Sequence, residues 1–369
     1  MSETRRTFLK TATKTTLAVT FAASTGPFVI TARAAEPEKK LNFALVGLGS
    51  LATNQIAPGL QKTKHCRLAG IVSGTAQKRK DWAAKYNISE KNIYTYETFD
   101  QIKNNPDIDV VYVVLPNAMH GEYTIRAAQA GKHVLCEKPM EVSAEKCQQM
   151  VDACKKANRM LAIGYRCQFV PYHLEMIRIG REKQFGAPKL IEASFGFKIG
   201  DPTQWRLKHA LAGGGALMDV GIYALQGTRY VAGEEPIELT AFETKSDPVK
   251  FKEVDESIFW TLRFPSGVLA NCGTTYNSNG LNRLHANFEN GWAQLDPAYS
   301  YGGLQGKTSK GLMDFPQVDH FATEMDDFAQ CIMQGKKSKV SGEEGVRDAK
   351  ILAAIYESIR NGSKTVKLA

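Results

Sequence analysis

The residue types suited to proton chemistry gather in one short run, Gly213-Gly214-Gly215-Ala216-Leu217-Met218-Asp219-Val220-Gly221-Ile222-Tyr223. Three glycines lead into an apolar segment. If that segment is helical, Asp219 and Tyr223 lie one turn apart on one face. A carboxylate beside a phenol makes a proton-handling pair; the plainer alternative is a helix cap and a core aromatic. A second charged run, Cys136-Glu137-Lys138-Pro139, closes the apolar stretch His133–Cys136. A Glu-Lys pair at the carboxyl end of a buried strand sits on the edge where open parallel sheets bind ligands, although a surface ion pair would look the same. The third run, Val46-Gly47-Leu48-Gly49-Ser50-Leu51-Ala52, follows a strand-like stretch and opens an apolar helix. Gly47 and Gly49 allow a tight turn that brings backbone N–H groups against a pyrophosphate, and Ala52 is an accepted third residue of that motif. Strand before and helix after is the context a dinucleotide-binding turn requires.

The end of the next strand reports which dinucleotide. Sites specific for NAD place Asp or Glu there to hold the ribose 2′-OH. This chain has Ile71-Val72-Ser73-Gly74-Thr75, followed by Lys78 and Arg79. A hydroxyl, an unencumbered backbone and two cations suit a 2′-phosphate, so NADP is expected. Otherwise Lys78 and Arg79 only decorate a solvated helix face.

A doubly wound frame must position these runs. Leu41–Val46, Leu68–Val72, Val110–Leu115 and His133–Cys136 read as buried parallel strands, each short and ending at a polar or Gly/Pro turn. Ala76–Tyr86 and Gly121–Ala130 read as helices between them, and Ser143–Asn158 as a further helix capped by Ser143. From about residue 188 the texture changes to longer strands, Leu190–Phe197, Ile237–Thr244, Ile258–Phe264 and Val268–Thr275, with a hairpin turn at Pro265-Ser266-Gly267. Helices near Asp319–Gln334 and Glu343–Asn361 close the chain, and Gly302–Pro316 reads as a loop. The fold expected is α/β: a Rossmann domain over 35–163, then a domain over 164–369 of α+β type with a large, mainly antiparallel, open-faced sheet. A sheet with helices on one side leaves its other face to be covered, so a homodimer or homotetramer is expected.

Residues 1–34 read as an export leader. Thr4-Arg5-Arg6-Thr7-Phe8-Leu9-Lys10 is a twin-arginine signal, followed by a stretch too short and polar to span a bilayer and by Ala32-Arg33-Ala34, with the cut placed after Ala34. The twin-arginine machinery carries folded proteins, which suits a chain that loads a nucleotide in the cytoplasm and works in the periplasm. The net charge of +9 includes five Lys/Arg and one Asp/Glu in the leader, leaving about +5 spread along the rest. No basic cluster interleaved with aromatics points to nucleic acid, and no apolar segment points to a membrane span. The seven cysteines are odd in number and lack a Cys-x-x-Cys pair, which reads as packing. No His/Cys/carboxylate cluster has metal-ligand spacing.

Taken with Leu115-Pro116-Asn117, His120, Gly164-Tyr165-Arg166-Cys167, Trp205-Arg206-Leu207 and Gly233–Ile237, these motifs make the chain resemble the Gfo/Idh/MocA oxidoreductase family. Within it, the similarity is greatest to the glucose–fructose and aldose–aldose oxidoreductases, from about Leu41 to the C-terminus. Much of the family carries His where this chain has Tyr223, and Tyr marks that subgroup. The resemblance implies hydride transfer between a sugar C1 and tightly bound NADP. An aldose is oxidised to its lactone, and a second sugar is reduced to the alditol. It implies catalytic roles for Lys138, Asp219 and Tyr223, with Tyr223 as acid/base, Lys138 favouring its phenolate, and Asp219 orienting sugar hydroxyls or sharing the proton. It implies nucleotide contacts at Gly47, Gly49, Ser50, Leu51, Ser73, Lys78, Leu115, Asn117, His120, Glu137 and Lys138. Arg166, Trp205 and Arg206 fall on the nicotinamide side, and substrate contacts on Lys138, Asp219 and Tyr223. Tyr276 is a further candidate for the substrate side of the cleft, with an ordinary strand aromatic as the plainer alternative. The chain departs from the glucose–fructose enzymes in having only Ala35–Lys40 where they carry a long Pro-rich arm. An aldose 1-dehydrogenase with exchangeable NADP and a redox-assisted glycosidase are the competing enzymes, and a non-catalytic sensor the competing class.

Overall fold

The computed structural model describes residues 40–368. The twin-arginine signal, the cut after Ala34 and the arm as far as Lys39 lie outside the described residues. Among these, β1 (Leu41–Val46), β2 (Cys66–Val72), β3 (Ile93–Tyr94), β4 (Val110–Val113), β5 (His133–Cys136) and β6 (Leu161–Ile163) form a six-stranded parallel sheet ordered β3-β2-β1-β4-β5-β6. Every residue of β4 is buried, because helices cover both faces of the sheet. The strand order reverses between β1 and β4, which opens a crevice at their carboxyl ends. The helix that starts at Ser50 carries a π-turn, Ala52–Ile56, before α1 (Ala57–Leu60). The other helices of this part are α2 (Ala76–Tyr86), α3 (His120–Gln129) and α4 (Ala144–Lys156). Ser143 caps α4, its Oγ accepting from the Lys146 amide at 3.3 Å.

The second sheet is built from β7 (Pro188–Gly196), β8 (Glu238–Thr244), β9 (Ser257–Arg263), β10 (Leu269–Thr275), β11 (Asn282–Phe288), β12 (Gly291–Leu295), β13 (Gly306–Thr308), β14 (Gly311–Met313) and β15 (Val366–Lys367), in the order β14-β13-β12-β11-β7-β10-β9-β8-β15. Every pairing is antiparallel except that of β7 with β10, so the sheet is mixed. The β13–β14 hairpin falls inside Gly302–Pro316, which therefore is not wholly a loop. Two three-residue strands bounded by Gly306 and Gly311 are too short to display alternation. Helices α5 (Pro171–Arg181), α6 (His209–Ala212), α7 (Ile222–Ala232), α8 (His320–Gln334) and α9 (Gly342–Arg360) complete the chain. α7 packs on β7 and α9 on β8, while Phe242 and Phe259 project from the sheet 60% and 55% exposed. α8 packs back against α1, β2 and the 3-10 turn Arg166–Phe169, which brings a late segment of the chain to the edge of the first sheet.

All seven cysteines are free thiols, and six are buried.

Candidate active site

The crevice at the strand ends is a cleft of about 560 Å3 with two chemically distinct ends. At one end lies the glycine turn. Gly47 has φ +97°, and a Cβ there would stand 2.3 Å from the Val114 carbonyl oxygen, so only glycine fits. Gly49 has open space where a side chain would be. Beyond it, Ser50 and Leu51 occupy the first helical turn, whose amides have no intrahelical acceptor. Ser73 and Lys78 line the same end. The Lys78 ammonium reaches across to donate to the Leu48 carbonyl at 3.1 Å, which places a cation between the two loops. Arg79 is used locally instead, donating to the Ser73 carbonyl at 2.5 Å. A dinucleotide phosphate finds in this cradle what it requires: free amides, an open glycine and a cation, with no carboxylate at the end of β2. Leu115 and Asn117, after β4, form the middle wall, and Asn117 donates to the Ala212 carbonyl at 2.8 Å, tying this wall to α6.

At the other end Glu137, Lys138, Trp205, Arg206, Asp219 and Tyr223 meet. Glu137 accepts from the Tyr112 hydroxyl at 2.7 Å and from the Lys138 amide at 3.2 Å. The segment carrying Asp219 is a π-turn, Leu217–Gly221, that runs straight into α7. Its entry depends on the three glycines. Gly213 ends α6 with φ +73°, and a Cβ on Gly215 would lie 2.0 Å from the Asp255 carbonyl. The Asp255 carboxylate accepts from the Gly215 and Leu217 amides at 2.6 and 2.8 Å, so Asp255 caps the turn and leaves Asp219 free for the cleft.

Asp219 is an ionic hub. Lys138 Nζ donates to its Oδ1 at 3.1 Å and to its carbonyl at 2.6 Å. Oδ2 accepts from Arg206 Nε at 3.0 Å and from the Tyr276 hydroxyl at 2.9 Å. Burial alone would raise this carboxyl; the two cations and the tyrosine outweigh it and hold the group well below the usual carboxylate range. With both oxygens committed to donors, Asp219 anchors cations and does not share a proton, contrary to one of the two roles expected. The Tyr223 phenol is raised by burial, which outweighs the opposing effect of Arg166. Lys138 Nζ lies 4.8 Å from the centre of the Tyr223 ring, but its hydrogen bonds go to Asp219.

Three other expected contacts lie behind the cleft wall. His120 is buried, its ring nitrogens 2.9 and 2.8 Å from the carbonyls of Pro139 and Leu115. It ties together the loops that follow β4 and β5 and touches no cleft space. Tyr276 is fully buried, does not line the cleft, and donates its hydroxyl to Asp219. Arg166 is buried as well, bonded to Tyr223 and to backbone carbonyls, and is not among the residues that line the cleft. Conversely, Tyr96, Tyr301 and Phe321 line the cleft without having been singled out. The signal for Tyr301 is its place directly before Gly302–Pro316, the stretch read as a loop.

Known proteins match this architecture throughout. Residues 41–165 match the model described as oxidoreductase family, NAD-binding Rossmann fold; 173–294 match the GFO/IDH/MocA C-terminal domain; 305–368 match the oxidoreductase family, C-terminal alpha/beta domain. A D-xylose 1-dehydrogenase [NADP(+)] of Haloarcula marismortui is 31% identical, over 90% of this chain and 94% of that protein. The chain belongs to the Gfo/Idh/MocA oxidoreductase family. Among solved structures of similar shape, an aldose-aldose oxidoreductase from Caulobacter crescentus complexed with glycerol superposes with a TM-score of 0.87 at 45% identity, covering 89% of this chain and all of that one. A levoglucosan dehydrogenase in complex with NADH and L-sorbose shares the fold, with a TM-score of 0.78 at 22% identity over 90% of this chain and 99% of that one. In this Gfo/Idh/MocA member, as the geometry above has it, the glycine turn and the Lys138–Asp219–Tyr223 group face one continuous cleft.

Proposed function

We propose that this chain is a periplasmic sugar oxidoreductase that keeps NADP bound, oxidises an aldose at C1 to the lactone, and reduces a second sugar to the alditol in a ping-pong cycle. The observation that carries the reading is the single cleft joining a phosphate cradle, Gly47–Leu51 with Ser73 and Lys78, to Lys138, Asp219 and Tyr223. The aldose-aldose oxidoreductase likeness at 45% identity supports the sugar class and the paired half-reactions. Ser73 and Lys78, with no carboxylate beside them, support NADP over NAD, as does the NADP(+) named for the 31% identical relative. Thr4–Lys10 supports export of the folded, loaded protein by the twin-arginine route.

The nicotinamide, when bound, supplies reversible hydride exchange with a carbon bearing oxygen. The protein's part is to bind, orient and move one proton. Asp219, kept ionised, fixes Lys138 and Arg206 at the cleft. Lys138 spends two of its three ammonium hydrogens on Asp219 and offers the third to a sugar hydroxyl. Tyr223, at the cleft wall, exchanges its phenolic proton with the sugar C1 oxygen: as base when the aldose is oxidised, as acid when the second sugar is reduced. Trp205, with Arg206 4.6 Å from its ring centre, gives the wall a flat cationic patch.

An aldose 1-dehydrogenase with exchangeable NADP is the second reading, favoured by the D-xylose 1-dehydrogenase relative. One experiment separates them. Purified protein receives two sugars and no added NADP. Sustained formation of lactone and alditol together supports the paired reaction, whereas a single stoichiometric burst of lactone supports the dehydrogenase.

A further inference from the structure

The phenol of Tyr223 has a partner outside the cleft that the proton chemistry above does not use. Arg166 Nε lies 3.1 Å from the Tyr223 hydroxyl. The rest of the guanidinium is held on three sides: one terminal nitrogen lies 2.5 Å from the Tyr299 carbonyl, the other 2.8 Å from His320 Nδ1 and 3.4 Å from the Ser300 carbonyl. Arg166 and His320 are each 2% exposed. The guanidinium carbon is 4.8 Å from the Tyr223 ring centre and 4.7 Å from that of Tyr301. Three elements distant in sequence thus converge to hold one cation in one orientation: the turn Arg166–Phe169, the segment around Tyr299–Tyr301 and the first turn of α8.

An arginine only donates and stays charged at any working pH. Its Nε–H therefore makes the Tyr223 oxygen an acceptor, and the phenolic hydrogen must point elsewhere. The cleft is the open side of this residue. Lys138, the cation first expected to tune the phenol, is bonded to Asp219.

We propose that Arg166 is the positioning residue of Tyr223, turning the phenolic proton toward the cleft and stabilising the phenolate left when that proton moves. The proposal rests on the reading of Tyr223 as proton donor and acceptor given above. In the reducing half-reaction the phenol O–H breaks and a substrate O–H forms, while the carbonyl carbon takes a hydride from the reduced nicotinamide dinucleotide. The phenolate remains beside Arg166. In the oxidising half-reaction the phenolate takes the C1 hydroxyl proton back as the hydride leaves for the oxidised dinucleotide, so protons and electrons balance over the pair. The other groups around the phenol are Glu137 and Lys138 after β5, Asp219 on its own helix, Cys167 beside Arg166, Tyr301, and His320 and Glu324 on α8. Burial raises the Glu324 carboxyl well above its ordinary range and lowers His320 to about 3; the group bonded to the phenol oxygen is Arg166.

The test measures kcat for aldose oxidation against pH in the full-length holoenzyme, with dinucleotide affinity followed separately by NADPH fluorescence. Arg166→Met is expected to lower kcat at neutral pH by about 10–100-fold, the worth of one charge-assisted hydrogen bond to a developing anion. It is also expected to move the rise of kcat with pH upward by about one pH unit or more. KM and NADPH affinity should stay within about twofold, and Arg166→Lys should recover part of the loss. In a Tyr223→Phe background, Arg166→Met should cost less than about twofold, because the two residues act as a unit. An equal loss in both backgrounds, an unshifted pH profile, or a loss confined to NADPH affinity would overturn the assignment while leaving Tyr223 in place. No effect of Tyr223→Phe alone would overturn the underlying reading instead. If Arg166→Met does not fold, His320→Phe removes one of its acceptors and is expected to shift the same profile in the same direction; a wild-type profile there would overturn the proposal.

Discussion

Replacing Asp219 with Asn tests whether one carboxylate holds the far end of the cleft together. Asp219 accepts from Lys138, Arg206 and Tyr276 at 2.9–3.1 Å, and the side-chain exposures of Lys138, Asp219 and Arg206 are 11%, 16% and 32%. Removing one partner of a fully buried pair costs about 3–5 kcal/mol. Partial solvation of Arg206 reduces that, so about 2–3 kcal/mol is expected. The asparagine amide also turns an N–H group toward either a cation or the Tyr276 hydroxyl, which replaces an acceptor with a donor. For a chain of this size a loss of this order lowers Tm by roughly 4 °C. The carboxyl is held below its unfolded value, so its contribution is fully present above about pH 4 and is lost only as pH falls through the lower folded value. Thermal unfolding of wild type and Asp219→Asn, followed by circular dichroism at pH 6 and pH 8, should therefore give the same deficit at both. A deficit under about 1 °C, or one that disappears between those two values, would refute the hub argument.

Three further outcomes follow from the same geometry. Tyr223→Phe should leave bound nucleotide intact, measured by absorbance of the purified protein, and cut steady-state turnover by about 10²–10⁴-fold; unchanged turnover removes Tyr223 from the mechanism. Lys78→Ala should weaken NADP by about 10-fold or more and NAD by less than about 3-fold in fluorescence titrations, and equal losses would undo the 2′-phosphate argument. Acid should destabilise the protein below neutrality. Burial, then Arg166, depress His320 to about 3, and burial, then Arg159, depress His133 to about 4. Both folded values lie below the unfolded value near ~6.5, so their contribution is intact above that pH and is lost as pH falls toward about 4. A Tm that stays level between pH 6.5 and 4.5 would contradict this.

The parts of the molecule legible in its residues were those governed by local physics. Buried parallel strands announce themselves as short apolar runs, and Leu41–Val46 and His133–Cys136 form strands with the expected ends. Ser143 caps its helix because a hydroxyl before a helical run bonds the first turn. The parallel pairing of β7 with β10 was not legible, since nothing within either strand encodes its neighbour. The site divides the same way. Gly47, Gly49, Lys138, Asp219 and Tyr223 belong to compact motifs, and all five line the cleft. Arg166, Tyr276 and His320 act through partners 57 to 154 residues away, and nothing in the residues beside them distinguishes a buried support from a ligand contact. The commitment of Lys138 to Asp219 was not legible for the same reason: it is a tertiary fact.

The claim on which all else rests is that the protein holds a nicotinamide dinucleotide in the Gly47–Leu51 and Ser73–Lys78 cradle while it works on sugars. The purified protein, denatured, and its released ligand examined by absorbance and mass, decides it. The account predicts NADP or NADPH close to one per chain. Protein that releases no dinucleotide and cannot afterwards be loaded with one would contradict it.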